Sequence, residues 1–149
     1  MSLKSRLDTD MKDAMRSRDT VRLETIRGVR GAIKNREIDS GEALDDPAIE
    51  REIRRLMKQR VDSIEQFRAV GRDDLADKET QEKQVLASYL PAAPGAEDVE
   101  KAVREVIAEV GPSGPRDMGK VMKPVLDRLG PAADGKIVSA TVKRLLTEI

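Results

Sequence analysis

The chain of 149 residues contains no cysteine, no histidine and no tryptophan, and it has one phenylalanine and one tyrosine. Without cysteine it has neither a disulfide framework nor a thiolate nucleophile. Without histidine it lacks the commonest general base and the commonest metal ligand of proteins. A catalytic site in this chain would therefore depend on carboxylates, lysine, serine, threonine or Tyr89.

Further absences concern location and ligands. No apolar run approaches the length of a membrane span, and the first residues lack the apolar segment of a secretory signal peptide. We therefore expect no membrane partner and, since cysteine is also absent, a cytoplasmic protein. The chain has no metal-ligand spacing, Walker loop or dinucleotide motif, so we expect no metal and no cofactor. Its formal net charge of zero argues against a strongly basic coat for nucleic acid.

The residues that are present favour helices. Charged residues make up 38% of the chain and apolar residues another 38%, which is typical of helices that pack through aliphatic side chains. Apolar residues recur at helical spacing through the first ninety residues, and Leu90–Gly95 interrupts the pattern. We predict an all-α fold with an N-terminal helical hairpin or bundle (residues 1–90), a linker (91–95) and a smaller C-terminal three-helix domain (96–149).

Local signals predict several helix boundaries. The second helix should run from about Asp19 to Ile38, and residues 35–44 should form a polar loop. Asp46 followed by Pro47 is a start signal, an N-cap with proline at the first helical position. We therefore expect the third helix to begin at Pro47, with Asp46 as its N-cap, and to end at Gly71.

Three charged residues fall on apolar stripes. Arg60 does so in the third helix, and Glu79 and Glu82 do so in the fourth. Because Gly71 joins these helices tightly, they should pair antiparallel and place Arg60 against Glu82, with Glu79 one turn away. We predict a partly buried ion pair of Arg60 with one of these acids, and we favour a structural role in which the pair fixes the register of the hairpin. The alternative is that one of these acids lies near a cleft and has a perturbed pKa that serves catalysis. Arg60, Glu79 and Glu82 are therefore the only catalytic candidates, and they are weak ones.

A short sequence motif occurs twice in the last 33 residues. Gly119-Lys120 and Gly135-Lys136 open two similar segments 16 residues apart, and each follows an aspartate. A capped helix start with free N–H groups and a neighbouring lysine suits an anion such as phosphate. The alternative, which a single sequence favours, is that two short amphipathic helices share a start signal by chance.

Two basic stripes lie on the earlier helices. Arg27, Arg30 and Lys34 share one face of the second helix, and the third helix carries Arg51, Arg54, Arg55 and Lys58 on its outer face. Such stripes could contact phosphates, although charge runs on helices are more often solvated faces. Since aromatic residues for stacking are nearly absent, any RNA bound should be recognised by its folded shape.

Several motifs together resemble those of the YqeY proteins in the GatB/YqeY family. They are Lys58-Gln59-Arg60, Gly71-Arg72-Asp73-Asp74-Leu75, Tyr89-Leu90-Pro91 and the two C-terminal Gly-Lys segments. The resemblance covers essentially the whole chain. This family is similar to the tail domain of the B subunit of the glutamyl- and aspartyl-tRNA amidotransferase, an all-helical tRNA-binding module whose chemistry is carried by other domains. The resemblance therefore implies an RNA-facing role without requiring that this chain forms a carbon–nitrogen bond.

Our leading hypothesis is a tRNA-associated accessory protein that binds tRNA or another structured RNA, with a protein partner in tRNA metabolism as a further possibility. One alternative is an enzyme or enzyme fragment of tRNA-dependent amidation, a carbon–nitrogen ligase with glutamine as amide donor. Another is a helical protein–protein adapter that uses the hairpin or the Val99–Val110 face. The residues expected to contact RNA are Gly119, Lys120, Lys123, Gly135, Lys136, Lys143 and Arg144.

Overall fold

A computed structural model describes residues 1–149 and contains seven α-helices and no β-strand. The helices are α1 (Leu3–Ser17), α2 (Thr20–Ser40), α3 (Asp46–Ala69), α4 (Asp73–Ala87), α5 (Ala96–Val110), α6 (Met118–Leu129) and α7 (Gly135–Thr147). The predicted all-α fold is confirmed. Two compact units are present, residues 1–90 and residues 91–149. None of the helices is both long and apolar enough to cross a membrane.

The core of the first unit is formed by helices α1 to α4. Its buried members are aliphatic apart from one tyrosine: Leu3, Leu7, Ile26, Val29, Ile33, Ile49, Ile53, Leu86 and Tyr89. The contributions of α3 and α4 come from the beginning of α3 and the end of α4. Towards the turn that joins them, Ile64, Phe67 and Leu75 are only half-buried. The far part of the hairpin is therefore held chiefly by contacts between its own two helices.

The predicted polar loop at residues 35–44 is wrong in its first half, because α2 continues to Ser40. Two polar residues in this last part of the helix have tertiary partners. Arg36 Nε lies 3.1 Å from Glu52 Oε2, and Glu37 accepts a hydrogen bond of 2.8 Å from the N–H of Leu44. Gly41 then ends the helix with a left-handed backbone, φ +72°.

The start of α3 lies one residue earlier than predicted. Asp45, rather than Asp46, is the N-cap, and its carboxylate accepts from the N–H of Ala48 at 2.9 Å. Asp46 is in the first turn of the helix, where its carboxylate accepts from the N–H of Leu3 at 3.1 Å. This contact with the first turn of α1 uses the side chain that local sequence signals assign to the cap.

The second unit has a core rich in valine. Helices α5, α6 and α7 supply its buried residues, which are Val99, Ala102, Val103, Val106, Val121, Val125, Val138, Val142, Leu145 and Leu146. A 3₁₀ turn at Pro115–Asp117 leads directly into α6. The apolar face of α5 that could have docked a partner helix is thus already packed inside its own unit.

Candidate functional site

The start of α7 carries the second Gly-Lys segment. Asp134 is the N-cap, and its carboxylate accepts from the N–H of Lys136 at 2.9 Å. The terminus is therefore already occupied by a negative group of the chain itself. The side chain of Lys136 is exposed and has no carboxylate within 4.0 Å. The N–H of Lys136 is thus satisfied within the chain, whereas its side chain has no carboxylate partner.

The start of α6 carries the first Gly-Lys segment and is built differently. The carboxylate of Asp117 accepts from the N–H of Ser113 at 2.8 Å and from its hydroxyl at 3.0 Å, which lowers the pKa of Asp117. The N–H of Met118 donates to the carbonyl of Pro115, because the 3₁₀ turn continues into the helix. Gly119 therefore lies beyond the first free N–H groups, and Lys120 Nζ lies 3.5 Å from Asp117. The repeated Gly-Lys motif therefore does not produce equivalent anion sites at the starts of α6 and α7.

The two Gly-Lys segments lie apart from each other. The end of α6 contacts the later part of α5 through Arg128 with Glu105 and Glu109, whereas the end of α7 contacts the earlier part through Arg144 with Glu100. The two helices consequently run in opposite directions, as their five-residue loop also indicates. Twelve helical residues span about 18 Å, so the starts of α6 and α7 cannot hold the same phosphate.

All seven residues predicted to contact RNA are exposed. Two of the cations have partners within the chain, Lys120 with Asp117 and Arg144 with Glu100 and Glu148. The other three have no carboxylate within 4.0 Å, and they are Lys123, Lys136 and Lys143. Five of the nine acids of this unit lie on α5, which leaves residues 111–149 with seven basic residues against four acidic ones. The α6–α7 surface, defined by these three lysines, therefore has an excess of positive charge.

The predicted ion cluster in the α3–α4 hairpin is present. Arg60 Nε lies 2.9 Å from Glu82 Oε2 and 3.3 Å from Glu79 Oε2, and all three side chains are partly buried. The N–H of Arg60 is not aligned with either oxygen, so the contacts are ionic and neither atom pair is a hydrogen bond. Burial raises the pKa of Glu79, repulsion from Glu82 adds to this, and Arg60 opposes it. The arrangement fits the predicted register, with one guanidinium between two acids.

Two further polar centres were missed by the sequence analysis. The Tyr89 hydroxyl donates to Asp10, and Arg6 lies 4.6 Å above the tyrosine ring. Burial, followed by the hydrogen bond to Asp10, raises the pKa of Tyr89. Asp10 follows Leu7 by three residues and precedes Ala14 by four, so its position on the apolar stripe of α1 was the available signal.

The second missed centre is Glu52, whose side chain is only 6% exposed. It is bound by Arg55 one turn later and by Arg36 of α2. The hydrogen bond from Arg55 lowers the pKa of Glu52, so the buried carboxylate is ionised. Arg54 also lies 3.6 Å from Glu50. Two arginines of the basic stripe predicted on α3, Arg54 and Arg55, are thus paired with acids of the same helix.

The basic stripe on α2 lines a groove against α1. Arg30 Nε lies 2.9 Å from Asp8 of α1, whereas Arg27 and Lys34 have no carboxylate within 4.0 Å. The acids and other potential ligand atoms of the chain form no cluster of three that could hold a metal ion.

Comparison with known proteins identifies the family. The sequence pattern of the family described as Yqey-like protein matches residues 4–146. The chain belongs to the YqeY-like family. Curated relatives include a protein named Altered inheritance of mitochondria protein 41, mitochondrial, in several fungi. The protein from Lachancea thermotolerans is 38% identical over 112 residues, which is 73% of this chain and 60% of the relative.

Other fungi show the same similarity. The Kluyveromyces lactis protein is 39% identical over 112 residues, 73% of this chain and 60% of that protein. The Pyrenophora tritici-repentis protein is 31% identical over 144 residues, 95% of this chain and 79% of that protein. The chain spans about 60% of the length of the first two relatives.

The prediction of a cytoplasmic protein is wrong in the light of these relatives, whose names place them in mitochondria. That prediction depended on the absence of cysteine and of a secretory signal. Neither absence distinguishes the cytosol from a compartment inside an organelle.

Proposed function

We propose that this YqeY-like protein is an RNA-binding accessory protein that recognises tRNA, or another RNA of similar folded shape, through the α6–α7 surface. The observation that carries the proposal is that Lys123, Lys136 and Lys143 are exposed and have no carboxylate within 4.0 Å. Cations that are not neutralised internally can release the counterions of phosphates, which is the main source of affinity for nucleic acid.

The burial of the single tyrosine and the family resemblance both favour RNA of defined shape over single-stranded RNA. The single Tyr89 is 4% exposed and hydrogen-bonded to Asp10, so it offers no stacking platform. Recognition would instead depend on phosphate and 2′-hydroxyl contacts across a folded RNA. The family resemblance supports the same conclusion, because the amidotransferase tail that it resembles is an all-helical tRNA-binding module.

The test is fluorescence anisotropy of labelled, folded tRNA titrated with the whole chain across a salt series. Lys136→Ala/Lys143→Ala should weaken binding and reduce the magnitude of the slope of log K against log salt by about 1.5. Lys12→Ala/Lys58→Ala removes two equally exposed, unpaired lysines from the other unit and is the matched control. We expect this control to keep most of the affinity and of the salt slope.

Two results would reject the proposal. One is the absence of saturable binding by the unmodified chain at low salt. The other is an equal loss of affinity in both double variants, which would mean that the RNA responds only to total charge. Lys120→Ala provides an internal comparison, since Lys120 is paired with Asp117 and should contribute less than Lys136.

A further inference from the structure

A groove of about 500 Å³ lies between α1 and α2 in the first unit. Four cations and two acids line it, and these are Lys4, Arg27, Arg30, Lys34, Asp8 and Glu37. Leu7 and Ile33 add an apolar part to the wall. A volume of this size is in the range of sites for small-molecule ligands.

Both acids of the groove are already neutralised. Asp8 lies 2.9 Å from Arg30 Nε, and Glu37 accepts a hydrogen bond from Lys4 as well as one from the N–H of Leu44. The bond from Lys4 lowers the pKa of Glu37, so this acid remains charged and committed to its partners. Arg27 and Lys34 have no carboxylate within 4.0 Å, which leaves the groove with two uncompensated positive charges.

A glycine separates these two free cations. Gly31 follows Arg27 by one helical turn and precedes Lys34 by three residues, and it lines the groove. A Cβ added at Gly31 would meet no atom within 4 Å, so no neighbour in the fold requires a glycine there. Glycine in a helix interior is unfavourable compared with alanine. Its effect here is to leave the helix backbone open between Arg27 and Lys34.

We propose that the α1–α2 groove binds two neighbouring phosphoryl groups, held by Arg27 and Lys34 across the gap at Gly31. A guanidinium matches phosphate oxygens in a bidentate manner, and an ammonium adds a compact positive charge. The ligand is a diphosphate of a small molecule or two neighbouring phosphodiesters of RNA. The assignment does not depend on RNA binding by α6 and α7, because it uses other residues in the other unit.

The first experiment is isothermal titration calorimetry of the whole chain with pyrophosphate at low salt. We expect saturable binding that weakens by at least about tenfold in Arg27→Ala/Lys34→Ala, since two charged contacts are lost. Arg51→Ala/Lys58→Ala makes the same change in net charge at unpaired cations outside the groove and should bind as the unmodified chain does. Thermal unfolding of each variant checks that the fold is retained.

A steric variant tests the same site without altering its charge. Gly31→Leu should fill the gap and weaken pyrophosphate binding. Gly28→Leu is the matched control, because Gly28 lies on the same helix, has equally open space around it and does not line the groove. Binding that is weakened in the Gly31 variant and retained in the Gly28 variant would support the proposal.

Labelled tRNA distinguishes the two sources of phosphate. If the groove holds RNA, pyrophosphate should compete with tRNA, and Arg27→Ala/Lys34→Ala should weaken tRNA binding. If it holds a free phosphorylated compound, tRNA binding should be unchanged while pyrophosphate binding is lost. The proposal is overturned if the unmodified chain does not bind pyrophosphate, if Arg27→Ala/Lys34→Ala binds it normally, or if Arg51→Ala/Lys58→Ala loses as much affinity.

Discussion

At the scale of single residues, Glu52 shows how the first unit accommodates a buried charge. Its carboxylate is bound by Arg36 and Arg55 and is hardly exposed. We expect Glu52→Gln to lower the free energy of unfolding by about 1–3 kcal/mol, because both guanidinium groups lose an ionised acceptor. Chemical denaturation at pH 7 measures this change. Glu50→Gln is the control, and it should cost less because the contact with Arg54 is longer and Glu50 is more exposed than Glu52.

The contribution of Glu52 should also depend on pH. Its pKa is lower in the folded protein than in the unfolded chain, so its stabilisation is fully present above the ordinary pKa of glutamate, about 4.3. It is lost as the pH falls through the lower pKa of the folded state. The difference in stability between the natural chain and Glu52→Gln should therefore shrink in acid. A difference that stays constant down to pH 2 would contradict this assignment.

Glu79 should behave in the opposite way. Its pKa is raised by burial and by Glu82, so the folded protein holds this proton more tightly than the unfolded chain. Ionised Glu79 therefore costs stability at neutral pH, and stability is recovered as the pH falls through the raised pKa. We expect Glu79→Gln to raise the Tm at pH 7 and to leave it unchanged at about pH 3, where the acid is protonated anyway.

Circular dichroism at the two pH values measures this effect. Glu65→Gln makes the same charge change at an exposed position of the same hairpin and should leave the Tm unaltered at both. A lower Tm of the Glu79 variant at pH 7 would show instead that Glu79 is a net stabilising partner of Arg60.

Some of these polar residues could be predicted from the sequence and others were missed for a physical reason. Arg60 interrupts a long apolar stripe in a helix whose partner and register were evident from the turn at Gly71. Glu52 and Asp10 also interrupt apolar stripes, but their partners Arg36 and Tyr89 come from other helices. Pairing between elements that are distant along the chain depends on tertiary packing, which a single sequence does not specify.

At the scale of elements, we expect the Arg60 cluster to fix the register of the α3–α4 hairpin. Arg60→Met would leave two carboxylates close together in a half-buried site. We expect a loss of about 1–3 kcal/mol in stability, less than for a fully buried pair because the arginine side chain is 27% exposed. Urea denaturation followed by circular dichroism measures the loss.

The matched control is Arg68→Met, which removes an exposed arginine near the turn of the same hairpin and should have a smaller effect. Adding Glu79→Gln and Glu82→Leu to Arg60→Met should recover most of the stability, because the uncompensated acids are then gone. Unchanged melting and unchanged helicity in Arg60→Met would reject the role in register.

Two glycines, one inside helix α2 and one just after its end, should respond differently to substitution. Gly28 lies inside the helix with no atom within 4 Å of an added Cβ, so Gly28→Ala should raise stability by up to about 1 kcal/mol. Gly41 lies just after the helix with φ +72°, so Gly41→Ala should lower stability. Thermal unfolding of the two variants compares them directly, and a destabilised Gly28→Ala would reveal a contact at that helix face.

Helix boundaries were predictable where the deciding contacts are local. Asp19 caps α2 through the N–H of Arg22, and Gly71 follows the end of α3 as its sequence indicates. The end of α2 and the start of α3 were misplaced because Glu37 and Asp46 make contacts across the fold. Polar residues that look like loop formers locally can therefore extend or shift a helix.

At the scale of the whole molecule, zero net charge limits how RNA can be attracted. Affinity must come from local cations, since the chain has no overall positive field. With three unpaired lysines on the α6–α7 surface, we expect a slope of log K against log salt of about −2 to −3. The anisotropy series described above measures it. A slope of about −4 or steeper would indicate that Arg27 and Lys34 also contact the RNA.

The chain also contains a single intrinsic chromophore that absorbs near 280 nm, the side chain of Tyr89. Tyr89 is the only tyrosine, tryptophan is absent, and the ring lies in the core of residues 1–90 beside Arg6 and Asp10. Tyrosine absorbance near 280 nm, and the fluorescence excited at that wavelength, therefore follow the unfolding of residues 1–90. The far-ultraviolet signal instead reports on the helices of both units. Two unfolding curves recorded at these wavelengths on one unlabelled sample would show whether the whole chain melts in a single step.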